Sequence, residues 1–292
     1  MKIVIIGASG FLGTKLSNIL SNLHEVIMAD YINKQGVLFL DASIPEQVNS
    51  FLSHHKPDVV IDTVALTSSV ECEKKPELAR KLIYSTAKNI AESAGLLGIK
   101  MVFISSNYIF DGLKGNYSET NEVNPQNEYA KNKILAEKAV LKLKDSIVLR
   151  PGLMCGFNSE KNNNGVFDRI LSNKEIELRF PNQIRQPILV EDMVYIIQKL
   201  IEKNQNGIFH VASNDQVTMH QLLKDLENII RKESKIKITQ NKDSLVKSPI
   251  NVSMNISKIQ NLGIKTHTLK QALEIIKNQV NQSISKNGPI FN

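Results

Sequence analysis

Six short apolar runs in the first 150 residues, separated by longer segments of helical period, constrain this chain more than any other feature. The runs are KIVIIG (2–7), EVIMAD (25–30), VLFLD (37–41), DVVIDT (58–63), KMVFISS (100–106) and SIVLR (146–150). Each is apolar at successive positions, the pattern of a strand covered on both faces. The segments 11–22, 44–54, 76–98 and 126–143 carry the spacing of helices. Strand and helix alternating in this way predict an α/β fold, a doubly wound parallel sheet with helices on both faces.

Beyond residue 150 the rhythm loosens. GFNSEKNNNG (156–165) has the composition of a polar loop, and FPNQIRQPILVEDM (180–193) that of an extended crossing into a helix. Further helices are expected at 190–203, 218–232 and 268–282, with a strand at 207–211, so the second half reads as a smaller α+β region. The end, 283–292, has no period and is expected to fray. With 292 residues and 42% hydrophobic content, the chain has apolar surface for one large or two modest domains. No internal repeat is present.

Charge and composition exclude several function classes. The net charge of +7 comes from scattered lysines with no basic stripe interleaved with aromatics, so nucleic acid is not an expected partner. It can help attract an anionic small molecule. The opening MKIVIIGASG meets glycine after six residues, without a signal-peptide core or a membrane span, and a cytoplasmic location is expected. Cys72 and Cys155 have neither metal-ligand nor disulfide spacing, and the six histidines are far apart, so no metal is expected. His210 reads as a sheet-end residue, and Glu71 and Glu73 as a solvated helix start.

The first run leads into GASGFLG, with Gly7, Gly10 and Gly13 at the start of a helix. A turn this tight, with backbone amides brought close to a pyrophosphate, leaves no room for a β-carbon. The second run ends at Asp30, where a dinucleotide fold places an acid against the adenosine ribose hydroxyls. Asp30 favours NAD(H), since it would repel a 2′-phosphate; Lys34 nearby leaves NADP(H) open.

Gly-x-x-Gly-x-x-Gly followed a hundred-odd residues later by Tyr-x-x-x-Lys (Tyr129, Lys133) resembles the extended short-chain dehydrogenase/reductase superfamily. VFISSNYIFDG (102–112) is similar to the Ser-Thr-Asp-Tyr-Val-Phe-Asp-Gly segment of the dTDP-4-dehydrorhamnose reductase family. KPDVVIDTVALTSSVECEKKPELA (56–79) resembles that family's Pro-Asp-Val-Val-Ile-Asn-x-Ala-Ala-x-Thr segment, and NEVNPQNEYAKNKILAEKAV (121–140) its Tyr-and-Lys helix. The likeness is good to about residue 215 and thin afterwards. It implies a Rossmann domain formed by 1–152 with 186–215, a substrate-binding region formed by 153–185 with 216–282, and a tail at 283–292. By resemblance, Ser106, Tyr129 and Lys133 are catalytic. Tyr129 would protonate the developing alkoxide, Ser106 would donate a hydrogen bond to it, and Lys133 would stabilise the phenolate and hold the nicotinamide ribose. The cofactor site would comprise Gly7, Gly10, Phe11, Leu12, Gly13, Asp30, Asp41, Ala42, Val64 and Ala65, with Tyr129 and Lys133. Thr67, Asn107, Gly152, Arg185 and Lys247 would face a nucleotide-sugar substrate. A homodimer is compatible with the resemblance.

Departures from the family pattern bear on substrate rather than on hydride chemistry. Asn107 replaces an aspartate, Arg185 a glycine and Ser248 an arginine, and the chain has no tryptophan where the family often has one after the sixth strand. These changes point to a nucleotide-linked 4-keto sugar other than dTDP-4-keto-rhamnose. A 4,6-dehydratase would carry Asp-Glu where this chain has Asn107 and Tyr108. Two readings besides the 4-keto reductase stay open: an NAD-dependent nucleotide-sugar epimerase, which needs only Tyr129 and Lys133, and a non-catalytic regulatory subunit like that of methionine adenosyltransferase, found in this same branch.

Overall fold

The computed structural model describes residues 1–157, 176–178, 180–230, 236–238 and 246–287. The chain begins with β1 (Lys2–Ile6), α1 (Phe11–Leu20), β2 (Glu25–Asp30), β3 (Leu38–Phe39), α2 (Pro45–His55) and β4 (Val59–Asp62). Next come α3 (Ser69–Lys74), α4 (Pro76–Ala79), a π-helical segment (Arg80–Ser85), α5 (Thr86–Leu97) and β5 (Lys100–Ile104). A 3₁₀ turn at Asn107–Ile109 precedes α6 (Glu128–Val140) and β6 (Ser146–Pro151). The second half holds β7 (Leu153–Cys155), β8 (Ile176–Leu178), β9 (Ile184–Arg185), β10 (Pro187–Leu189) and α7 (Val190–Glu202). It ends with β11 (Gly207–Val211), β12 (Val217–Thr218), α8 (Met219–Ile230), β13 (Ile236–Ile238), α9 (Ser257–Asn261) and α10 (Leu269–Asn287).

Seven strands form one sheet in the order β11-β6-β5-β4-β1-β2-β3, and every pair in it is parallel. The expected α/β class and doubly wound sheet are therefore found. Side chains alternate across a strand, and here both faces are apolar. Ile3, Ile5, Val59, Ile61, Val102 and Ile104 join α1, α7 and α9 in one core. Val4, Ile6, Val60, Met101 and Phe103 join α2, α5 and α6 in the other. A third core gathers Cys155, Phe157, Leu189 and residues of α8 and α10. The segment around Val252–Ile264 packs on the sheet through Val252, Met254, Ile256, Ile259 and Ile264.

The sheet differs from expectation at its margin and along one helix. The run 37–41 yields only Leu38–Phe39, an edge strand with both side chains exposed. The helix expected over 76–98 starts at Pro76, where Lys75 leaves helical geometry, but Arg80–Ser85 widens within it into a π turn closed by the Thr86 amide bonding to Lys81 O. Thr86 Oγ1 also donates to that carbonyl at 3.2 Å, which fixes the wide turn from its side chain. The expected fraying from 283 is not found at its start, since α10 continues to Asn287. Most of the expected 156–165 loop and the last two residues of the expected 218–232 helix lie outside the described residues. Among the described residues no helix is long and apolar enough to cross a membrane.

Candidate active site

The sheet order reverses between β1 and β4: from β1 the chain winds outward through β2 and β3, then returns to the other side of β1. In open parallel sheets, ligands bind at the carboxyl ends of the strands flanking such a reversal. The glycine loop after β1 and the 63–67 loop after β4 meet there.

Two of the three glycines are demanded by packing. Gly7 has φ +85°, and a methyl group there would lie 2.7 Å from Thr63 Oγ1. A methyl on Gly13 would overlap the Gly7 carbonyl oxygen and the Ala8 backbone. Gly10 differs: it caps α1 in extended geometry, and the nearest atom to a methyl there is Gly7 O at 3.3 Å. A methyl there would crowd that oxygen only mildly, and its absence leaves the helix start approachable, which fits a pyrophosphate against the amides of a helix N-terminus. Asp30 Oδ2 accepts from the Ser9 amide at 2.9 Å, so its carboxylate sits against the loop as a ribose-binding acid must. These residues fit an NAD(P)-type dinucleotide. Leu12 is buried in the core under the loop, and Phe11 is partly buried against it. Thr63 Oγ1 donates to the carbonyls of Ile6 and Gly7, tying the two loops together. Val64 follows, with its amide on Asp62 Oδ1 at 2.9 Å, and Ala65, like Tyr129, packs against the cluster of Cys72, Ala79 and Ile83. Asp41 accepts from the Ser43 amide at 3.0 Å, while Ala42 is buried with its carbonyl accepting from Asn89.

Ser106, Tyr129 and Lys133 converge beyond the end of β5. Ser106 is buried; its Oγ accepts from the Tyr108 amide at 3.1 Å, and its hydroxyl favours the ionised form of Tyr129. Asn127 caps α6 by accepting from the Ala130 amide at 3.0 Å. Tyr129 and Lys133, four apart, then share one face of that helix. Lys133 is 2% exposed, donates to Ile104 O at 2.6 Å, and holds its Nζ 5.9 Å from the Tyr129 ring centroid. Burial pushes Tyr129 up to about 12, against the pull of the Ser106 hydroxyl. The same burial pushes Lys133 down to about 8, against the pull of Asp62 and Glu137. The expected acidification of Tyr129 by Lys133 is not found in this arrangement: burial dominates, Lys133 is not among the groups that move Tyr129, and the phenol stays protonated at neutral pH.

The residues expected around a substrate divide. Thr67 and Lys247 are exposed, and Asn127 Nδ2 donates to Lys247 O at 3.0 Å, which brings that segment to the start of α6. Asn107 and Gly152 turn inward instead. Asn107 Nδ2 donates to Val252 O at 3.1 Å, and a methyl on Gly152 would overlap Gln186 O, so both join segments of the fold. Arg185 is 2% exposed and donates to Tyr108 Oη at 2.9 Å, to Gln183 Oε1, and to the carbonyls of Ile184 and Pro249. Its guanidinium stands 5.2 Å over the Tyr108 ring, which itself meets Tyr129 edge-on at 6.4 Å.

Sequence reasoning did not single out several supports. Glu73 is not simply solvated: its Oε1 accepts from the Glu128 amide at 2.8 Å, binding α3 to the first turn of α6. Glu137 and Arg150 form a buried two-pronged pair at 2.7 and 3.0 Å, joined by Ser105 Oγ. His210 is fully buried beside Arg150, pushed down to about 3 and neutral, as a sheet-end residue. The thiols of Cys72 and Cys155 are buried and pushed up to about 11 and about 12, which makes them inert. Among the described residues no cluster of three or more His, Cys, Asp or Glu could hold a metal ion.

Comparison with known proteins agrees with this geometry. The chain is 28% identical over 299 residues to dTDP-4-dehydrorhamnose reductase of Aggregatibacter actinomycetemcomitans, covering 94% of this chain and 98% of that protein. It is equally 28% identical over 285 residues to methionine adenosyltransferase 2 subunit beta of Rattus norvegicus, covering 91% and 84%. The structure of a dTDP-4-dehydrorhamnose reductase from Clostridium acetobutylicum superposes with a TM-score of 0.86 at 26% identity, covering 96% of this chain and all of that one. The profile described as the RmlD substrate binding domain matches residues 1–282, and this chain belongs to that family.

Proposed function

We propose that this chain reduces the 4-keto group of a nucleotide-linked 6-deoxy sugar with NADH or NADPH, in the manner of the dTDP-4-dehydrorhamnose reductases. The observation that carries the reading is the convergence of Ser106, Tyr129 and Lys133 beside a glycine loop and Asp30. The amides around Gly10 would hold the pyrophosphate, and Asp30 the adenosine ribose. When bound, the reduced nicotinamide supplies the hydride that a ketone carbon accepts. Ser106 accepts from the Tyr108 amide and retains its own proton to donate to the carbonyl oxygen. Tyr129, kept protonated by burial, passes its proton to that oxygen as negative charge builds there. The Lys133 ammonium stabilises the phenolate that remains.

The likeness to methionine adenosyltransferase 2 subunit beta favours a second reading, a dinucleotide-binding subunit without turnover of its own. Oxidation of NADH and NADPH, followed with a panel of dTDP-, UDP- and GDP-linked 4-keto-6-deoxy sugars, separates the two. Turnover with one member supports the reductase. Silence across the panel with dinucleotide binding intact overturns it and favours the subunit.

A further inference from the structure

Asp62 is an acid that the reductase chemistry leaves without a task. It closes β4 at 1% exposure; its Oδ1 accepts from the Val64 amide, and its Oδ2 has no hydrogen-bond partner among the described residues. A buried carboxylate oxygen left bare is costly unless a cation stands near. The register supplies one. Asp62 pairs with Phe103 on the neighbouring parallel strand, so the two side chains lie side by side on the same sheet face. Lys133 Nζ is 4.9 Å from the centre of the Phe103 ring and bonds to the carbonyl of the next residue, Ile104. That is its one hydrogen bond among the described residues, although an ammonium has three donors. The family pattern this segment resembles carries asparagine where Asp62 stands.

We infer that Asp62 is a positioning residue which keeps Lys133 in its ammonium form within the buried cleft, and so sets the upper pH limit of dinucleotide binding. The inference rests on the reading that a dinucleotide binds against Lys133. Other groups facing Lys133 are Glu137 and Tyr129 on its own helix and Cys72 on α3. Glu137 is engaged by Arg150, while Cys72 and Tyr129 hold their protons through neutral pH. Asp62 and Glu137 both favour the ammonium of Lys133, Asp62 the more strongly, and Asp62 and Lys133 each favour the other's charged form.

The test is NADH binding to the purified full chain, read by nicotinamide fluorescence from acid to alkaline pH. In the wild type, binding falls as Lys133 loses its proton near pH 8. In Asp62→Asn the midpoint moves down by about one pH unit, because a neutral amide no longer favours the ammonium; an unmoved midpoint with binding intact overturns the inference. If that variant does not fold, Lys133→Gln reads the same coupling from the other side by denaturant unfolding. Asp62 is raised to about 6 by burial, so its contribution to stability falls as pH rises from its unfolded value towards 6. Without the lysine cation that fall extends to higher pH. Superimposable profiles overturn the inference. Neither readout needs a sugar substrate. A shifted midpoint with no turnover sinks the reductase reading alone, and turnover with no shift sinks this inference alone.

Discussion

Tyr129 and Lys133 present the site's chemistry as a contest between burial and charge. Burial favours the neutral form of each, which suits Tyr129 to give a proton and leaves Lys133 sensitive to pH. Tyr129→Phe is expected to lower turnover about a hundred- to ten-thousand-fold while NADH affinity is kept, checked by steady-state kinetics beside a binding titration. Lys133 is charged below about 8 and neutral above it, so turnover falls as pH rises through that value. A profile flat to pH 10 would contradict this. Asp30→Ala is expected to weaken NADH about tenfold and NADPH less, since a carboxylate bonded to ribose hydroxyls is lost from one and a repelled phosphate relieved in the other. Equal losses would remove the argument for Asp30. Among single residues, the placement of the glycines after β1, of Asp30 at the end of β2 and of the Tyr–Lys pair on α6 was legible in the sequence because it follows from local spacing. Arg185 was not, because its partners Tyr108 and Pro249 are 77 and 64 residues away in the chain.

At the scale of elements, α1 and α6 carry the site, and each is anchored by contacts of a different kind. Gly13 and Gly10 separate packing from binding. Gly13→Ala forces a methyl into the Gly7 carbonyl and is expected to destabilise the fold by about 1–3 kcal/mol. Gly10→Ala presses on Gly7 O at 3.3 Å, a tight but milder contact, and is expected to destabilise the fold less than Gly13→Ala while weakening NADH binding. Thermal unfolding and fluorescence titration of both variants check the contrast. On α6, Glu137 fixes Arg150 of β6 and Ser105 after β5. Glu137→Ala leaves a buried guanidinium without its countercharge and is expected to cost about 3–5 kcal/mol in denaturant unfolding. The central strands were legible because burial on both faces makes their apolar runs continuous. β3 was shortened because an exposed edge has less to hold it. The π turn at Arg80–Ser85 left no mark in composition, since widening a helix by one residue needs no special residue type.

Over the whole molecule, the parallel sheet and its reversal between β1 and β4 bring segments more than fifty residues apart to the carboxyl ends of neighbouring strands. The parallel sheet was legible in the alternation of strands and helices, whereas its strand order depends on how the crossovers pack and was not. The packing of residues 252–264 onto the sheet was not, because it depends on contacts between distant apolar side chains with no shared local period. Family membership does not itself choose among reductase, epimerase and subunit, and net hydride transfer from NADH to the sugar is what distinguishes the reductase. The most direct measurement supplies NADH deuterated at the transferring position together with the nucleotide-linked 4-keto-6-deoxy sugars and examines the product by NMR. Deuterium bonded to C4 of the product sugar, with one cofactor oxidised per sugar reduced, is the predicted result. A sugar recovered unchanged, or altered in configuration without deuterium and without net oxidation of NADH, would contradict it.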